Sequence, residues 1–403
     1  MKKYITTIKN AKWLSAILLA SVISACSSTD EEDESTKIAE LTEINEQFEP
    51  DVVWDRSVGD GVGDHFSRLK PHFAYDKIFT ASRDGNVYAF DAVSGERVWQ
   101  ADLSDIKGER GFFDSREPAL LAGGPIAGIN KVFIGSENGL VYALNAETGE
   151  LSWSSSVKGE VIAPAAIDSG ILTVNTASGV LKAFNASNGE EVWKVDLDVP
   201  PLSLRGISQP TIAGGGVIVG TASGELTVFL LETGQQGWSV DVGEATGSTE
   251  LERVIDVDAR ALVYGDKVYA ISSRGNLVAI DIRNGRVQWK RQYSSYRQLA
   301  VDGNTIYLTT TQGHVFAVDR LNGLEKWSNI ALTNRGVTGP AVVGDHLVVG
   351  DFEGYLHFLD LDTGEFVARH NVDSSGIHAT PTVVNGMVVS QARDGSLQAI
   401  KVP

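Results

Sequence analysis

One phrase recurs along the chain and limits what the chain can fold into. AFDAVSGERVW at 89–99 returns as ALNAETGELSW at 143–153, AFNASNGEEVW at 183–193 and AIDIRNGRVQW at 279–289. The full alignment has eight copies, whose leading glycines lie 38 to 54 residues apart. These glycines are Gly85, Gly139, Gly179, Gly224, Gly275, Gly313, Gly354 and Gly395. A repeat of this length is typical of one four-stranded blade of a β-propeller.

Each copy has the pattern of a strand followed by a turn. NVYAF at 86–90 alternates between two faces, as a strand requires, and DAVSG at 91–95 supplies turn residues. Two more short apolar runs precede the copy and another surrounds its tryptophan, which gives four hairpin-linked antiparallel strands per unit. Residues 51–403 are therefore predicted to form an all-β, eight-bladed β-propeller of four-stranded antiparallel blades.

Tryptophan marks the same position in nearly every unit, which indicates a role in docking blades together. The seven that fall on this position are Trp54, Trp99, Trp153, Trp193, Trp238, Trp289 and Trp327. The seventh copy has Ala368 instead, and the eighth, DGSLQAIKV at 394–402, stops before its last strand. DVVWDRSV at 51–58 is strand-like and has no strands before it. We predict that it fills the outer position of blade eight and closes the ring, which removes an exposed edge.

Charge and composition exclude several classes of protein. A net charge of -18 argues against nucleic acid as a partner, because phosphate binding needs a basic surface. The single cysteine, Cys26, excludes an intrachain disulfide and a cysteine metal site. The seven histidines lack metal-ligand spacing, and acidic turns such as NAETGE at 145–150 lack the calcium-loop pattern. No metal or cofactor is therefore expected.

No motif of a known catalytic class appears in the sequence. There is no P-loop and no G-x-S-x-G nucleophile motif. GDGVGDH at 59–65 and AGGPIAG at 122–128 are glycine-rich but lack the strand-then-helix context of phosphate loops. We interpret both as turns.

The N-terminus has the pattern of an export signal. Lysines precede an apolar run at 13–23 that is shorter than the roughly 20 residues a bilayer span needs. The end of that run, ISAC at 23–26, resembles the bacterial lipobox, which implies a signal peptide at 1–25 and lipid on Cys26. Ser27 in place of aspartate implies the outer membrane, and the acidic residues 26–50 are predicted to be a flexible tether.

The repeated phrase resembles the tryptophan-docking repeat of the quinoprotein (PQQ) dehydrogenase propellers. That resemblance implies the fold and raises the alternative of a PQQ-dependent periplasmic enzyme. The residues argue against the enzyme: Cys26 is the only thiol where those enzymes often carry an adjacent cysteine pair, and an acidic chain opposes a cofactor with three carboxylates. About 350 folded residues also leave no room for their active-site insertions.

The irregular parts of the repeat predict where recognition takes place. Connections between blades lengthen at 104–124, 198–210 and 243–260, after Trp99, Trp193 and Trp238. Connections between blades share one face of a propeller, and the turns of the repeated phrase lie on the other. Loops held by a rigid scaffold are the usual recognition sites.

The lines PLSLRGISQPT at 201–211, ATGSTELERVIDVD at 245–258 and GDFEGYLHFLD at 350–360 resemble the BamB family. These propeller lipoproteins belong to the outer-membrane β-barrel assembly machinery. The resemblance implies a non-enzymatic scaffold that docks on the periplasmic POTRA domains of BamA. The residues it implicates are Leu202, Leu204, Arg205, Asp256 and Asp258.

The residue types suit that role. Pro200 and Pro201 restrict the backbone before the two leucines, which with Arg205 make a small anchor for a partner. Asp256 and Asp258 lie on one side of an extended segment, where they would pair with basic groups of a partner or hold Arg205 in place. The sequence leaves open whether nascent outer-membrane β-barrel proteins also bind, by adding a strand to a blade edge.

Overall fold

The computed structural model describes residues 36–104, 117–200, 207–243, 249 and 254–403. Cys26, Leu202, Leu204 and Arg205 therefore lie outside the described residues. The chain divides into two units, Met1–Ile38 and Ala39–Pro403, and the second contains every described strand. Within the described part of the chain, no helix has the length and hydropathy to cross a membrane.

The strands, in chain order, are β1 (Asp51–Ser57), β2 (Arg68–Leu69), β3 (His72–Ala74), β4 (Lys77–Ala81), β5 (Asn86–Asp91), β6 (Arg97–Asp102), β7 (Leu121–Gly128), β8 (Lys131–Ser136), β9 (Leu140–Asn145), β10 (Leu151–Ser156), β11 (Ala166–Asp168), β12 (Ile171–Asn175), β13 (Val180–Asn185), β14 (Glu191–Asp196), β15 (Thr211–Ala213), β16 (Gly216–Gly220), β17 (Glu225–Leu230), β18 (Gln236–Asp241), β19 (Leu262–Tyr264), β20 (Lys267–Ile271), β21 (Asn276–Asp281), β22 (Val287–Gln292), β23 (Ala300–Asp302), β24 (Thr305–Thr309), β25 (Val315–Asp319), β26 (Glu325–Asn329), β27 (Ala341–Val343), β28 (His346–Gly350), β29 (Tyr355–Asp360), β30 (Phe366–Asn371), β31 (Thr382–Val384), β32 (Met387–Gln391) and β33 (Ser396–Lys401).

These strands form eight sheets, one per repeat, and the predicted eight-bladed propeller is confirmed. Blades one to seven are β3–β6, β7–β10, β11–β14, β15–β18, β19–β22, β23–β26 and β27–β30, each a four-stranded antiparallel meander, and β2 adds a fifth, parallel strand beside β7 in blade two. Blade eight has the order β31-β32-β33-β1, with Trp54 opposite Ala399. The predicted closure by the N-terminal strand is therefore confirmed. First strands of neighbouring blades contact one another and surround the central channel.

Seven tryptophans each dock their own blade onto the next, in every blade but the seventh. The indole Nε1 of each donates to a backbone carbonyl of the following blade, at 2.7–3.4 Å. The ring also lies against the turn glycine of that blade's phrase, where an added Cβ would come within 2.3–2.9 Å of the nearest neighbouring atom. These glycines, with φ between 67° and 76°, are Gly95, Gly149, Gly189, Gly234, Gly285, Gly323 and Gly364. The repeated phrase is thus a packing and turn device.

The structure explains why Ala368 replaces the tryptophan of blade seven. In six blades an alanine of the third strand faces the tryptophan, whereas in blade seven the large residue is on the third strand, as Phe358 opposite Ala368. The next blade also has no turn glycine to receive an indole, because β1 fills its outer position. Phe48 packs on Phe358 instead, with 5.7 Å between ring centroids.

The segment before β1 contacts the propeller over residues 39–48. Ala39 N donates to Thr333 O at 2.9 Å, and Gln47 N donates to Val367 O at 2.7 Å. Arg335, which is buried and pairs with Asp351 at 2.8 Å, donates to Ala39 O at 2.9 Å. The flexible tether at 26–50 remains a prediction, and these contacts place its second half on the side of the ring near blade seven.

The two glycine-rich stretches differ in structure. GDGVGDH is a turn, as predicted, with Gly59, Gly61 and Gly63 at φ of 53–59°. The turn interpretation of AGGPIAG is wrong, because it forms most of β7. A Cβ at Gly123 would lie 2.6 Å from Ala163 O, so glycine there permits close approach of two backbones.

Candidate partner-binding face

The connections between blades converge at one end of the channel. The residues that precede the first strands line a cavity of about 510 Å³, which we call the channel mouth. Lining residues from these connections include Arg68, Lys70, Pro164, Gln209, Arg260, Gln298, Gly336 and Thr380. The predicted recognition loops at 198–210 and 243–260 lead into two of the same connections, and Asp258 lines the mouth itself.

The two predicted aspartates are buried rather than exposed. Asp256 is 0% and Asp258 is 4% accessible, and every residue of 254–259 is buried. Burial argues against direct contact of these side chains with a partner, and the other predicted role, holding Arg205 in place, concerns a residue outside the described ranges.

Backbone contacts fix this segment between blades four and five. Val257 N donates to Thr221 O at 3.1 Å, and Ser273 N donates to Asp256 O at 2.9 Å. Gly220 is the residue that permits the approach, because a Cβ there would lie 2.0 Å from Val257 O. The backbone of the segment is therefore held on both sides next to the mouth.

Arg68, which no sequence motif indicated, links the two predicted loops. Its Nη1 donates to Ile207 O at 2.5 Å and to Asp258 O at 3.3 Å. Strand β2 positions it, since Arg68 pairs in parallel with Gly123 of β7 on the inside of the ring. Segment 59–71 lies outside the repeated phrase, so its sequence gives no signal of this insertion.

Burial and neighbouring charges shift the titration of groups at the mouth. Burial raises the pKa of Asp258 to about 7, although attraction to Arg68 opposes this rise. Burial, together with the positive charges of Arg260 and Arg68, lowers the pKa of Lys70 to about 8. Burial also lowers the pKa of Arg260. The protein therefore holds cations close together at the mouth, where Arg68 and Lys70 are half-buried and Arg260 is exposed.

Comparison with known proteins assigns the chain to a family. The model of the family described as "Outer membrane protein assembly factor BamB" matches residues 53–329 and 331–402. The protein of that name from Shewanella oneidensis is 44% identical over 390 residues, which cover 97% of this chain and 98% of the relative.

Solved structures agree on the fold. BamB from Moraxella catarrhalis superposes with a TM-score of 0.77 at 27% identity, covering 88% of this chain and all of that one. Quinohemoprotein alcohol dehydrogenase from Comamonas testosteroni, at 13% identity and a TM-score of 0.65, shares the fold alone. The superposition covers 87% of this chain and 76% of the dehydrogenase chain. The repeat, the closed ring and these relatives together show that the chain belongs to the BamB family of outer membrane protein assembly factors.

Proposed function

We propose that this protein is a non-enzymatic scaffold lipoprotein, anchored in the outer membrane through lipid on Cys26 and facing the periplasm. It binds the POTRA domains of BamA and so supports folding and insertion of outer-membrane proteins. Relatives named as outer membrane protein assembly factors, matching nearly end to end, support the proposal.

The observation that carries the binding assignment is the Arg68 bridge. One guanidinium holds Ile207, which directly follows LSLRG, and Asp258, within the other predicted loop. The described ends of the two loops are thereby anchored to one ring, and such anchoring reduces the ordering cost of association. In this proposal Leu202, Leu204 and Arg205 contact BamA.

Charge reversal at Arg205 tests the contact. Arg205→Glu should reduce the BamA that co-purifies with the protein by at least about tenfold, because a like charge against a complementary surface costs several kcal/mol. Arg286→Glu is the matched control, since Arg286 is exposed in a turn of the repeated phrase on the opposite face.

Both variants must first match the thermal unfolding of the wild type. Undiminished co-purification of Arg205→Glu, or an equal loss in the control, would contradict the assignment. Bound quinone with dye-linked dehydrogenase activity in protein from native envelopes would overturn the non-enzymatic assignment.

A further inference from the structure

The channel mouth collects positive charge in an otherwise acidic protein. Arg68, Lys70, Arg260 and Arg297, here called the cationic cluster, all line the cavity of about 510 Å³. They come from three different inter-blade connections, so the ring itself brings them together. The whole chain carries a net charge of -18, which makes this local excess the reverse of the general composition.

The cationic cluster is not neutralised by ion pairs. Across the described ranges, none of its four members lies within 4.0 Å of a carboxylate oxygen. Lys70 Nζ donates to Gln298 Oε1 at 3.2 Å, and Arg260 Nε donates to Thr211 Oγ1 at 3.4 Å. These two partners are neutral, so they do not compensate the charges of Lys70 and Arg260.

Several donors of the cationic cluster remain for a ligand. A guanidinium carries five N–H donors. Among the described residues Arg260 has the one acceptor given above, and Arg297 has His378 O at 3.3 Å. Planar guanidinium groups match carboxylate and phosphate oxygens in pairs.

The remaining charged groups at the mouth do not cancel the cationic cluster. Asp64 pairs with Arg393 at 2.9 Å, so these two opposite charges compensate each other and leave the net charge of the mouth unchanged. Asp258 keeps its carboxyl partly protonated near pH 7, since burial raises its pKa to about 7. His72 and His378 are neutral at that pH, because burial and nearby cations lower the pKa of each to about 4. An isolated concentration of like charge in a cavity is typical of a binding site.

We propose that the channel mouth binds a small polyanion carrying two or more carboxylate or phosphate groups. The cavity volume lies within the range of small-molecule sites. Phe66 and Tyr296, both exposed at the lining, offer aromatic surface to the rest of such a molecule. This site does not depend on BamA binding, so either assignment can fail without the other.

Calorimetric titration of the full-length protein at low ionic strength tests the site, with citrate and pyrophosphate as probes. Wild type should bind at least one, and Lys70→Met/Arg260→Gln should bind it at least about tenfold more weakly. Arg286→Gln, on the opposite face, should bind as wild type does. Binding of citrate alone identifies a carboxylate ligand, and binding of pyrophosphate alone identifies a phosphate ligand.

Thermal unfolding separates loss of the site from loss of the fold. The double variant without anion should unfold no lower than wild type, because mutual repulsion has been removed, and added probe should stabilise wild type only. Lys70→Met alone serves if the double variant does not fold. The proposal fails if neither citrate nor pyrophosphate binds wild type, or if the Lys70 and Arg260 variants retain full binding.

Discussion

At the residue scale, the repeated phrase works through one contact between an indole and a glycine. Trp193 is 8% accessible, donates to Leu231 O at 2.7 Å and lies against Gly234. Glycine is required there twice, for its φ of 70° and for the absence of a side chain. The two requirements can be separated, because other turn glycines share the conformation without the contact.

Gly234→Ala should destabilise the protein more than Gly265→Ala. Gly265 has φ of 63° and nothing within 4 Å of an added Cβ, so its variant should lose only the roughly 1–2 kcal/mol of left-handed backbone strain. At Gly234 the Cβ would lie 2.7 Å from the indole, which adds about 1–3 kcal/mol of overpacking. Urea unfolding measures both, and equal losses would contradict the docking role.

The unfolding free energy of Asp258→Asn relative to wild type should rise between about pH 4 and pH 7. Burial raises the folded-state pKa of Asp258 to about 7 from an ordinary 3.8. Folded wild type therefore holds a proton that the unfolded chain releases, and its stability falls with rising pH, by up to roughly 1.4 kcal/mol per unit. The variant lacks this slope, and the difference should level off above pH 7.

Unfolding curves collected across this range provide the measurement. Asp266→Asn, which removes an exposed carboxylate from a hairpin turn, is the control. A difference that stays flat with pH for Asp258→Asn would show that its carboxyl is ionised in the folded protein throughout.

At the element scale, the packing of blade seven differs from that of the other blades because β1 closes the ring in blade eight. Its outer strand β30 faces a blade whose outer strand is β1, so the turn that receives an indole elsewhere does not exist. The large side chain of this pair is on β29, as Phe358, and Phe48 from the segment before β1 packs against it. The loss of the tryptophan in blade seven thus follows from the closure of blade eight by β1.

Ala368→Trp should therefore destabilise the protein although it restores the repeat. Ala368 is fully buried opposite Phe358, and the added volume should cost about 1–3 kcal/mol. Adding Phe358→Ala should recover part of that loss, since alanine then faces tryptophan as in the six other blades. A gain in unfolding free energy for the single variant would contradict this account.

At the scale of the whole molecule, repetition decides what the sequence can predict. Eight copies of one phrase predict the blades, the docking tryptophans and the closing strand, because each copy independently implies the same local structure. Segment 59–71 is not repeated, and its strand β2 exists only because β7 is already in place beside it. Arg68 and the burial of Asp258 depend on that tertiary contact, so no local pattern reveals them.

The closing strand also ties the shape of the molecule to the order in which it is made. Strand β1 is synthesised first, yet its partner β33 is synthesised last, with about 350 residues between Asp51 and Lys401. Until β33 has been synthesised, β1 and the rest of blade eight each present an unpaired edge, which proteases and aggregation exploit. Pairing of β1 with β33 therefore distinguishes chains that have reached residue 401 from shorter ones, because only the former can cover both edges.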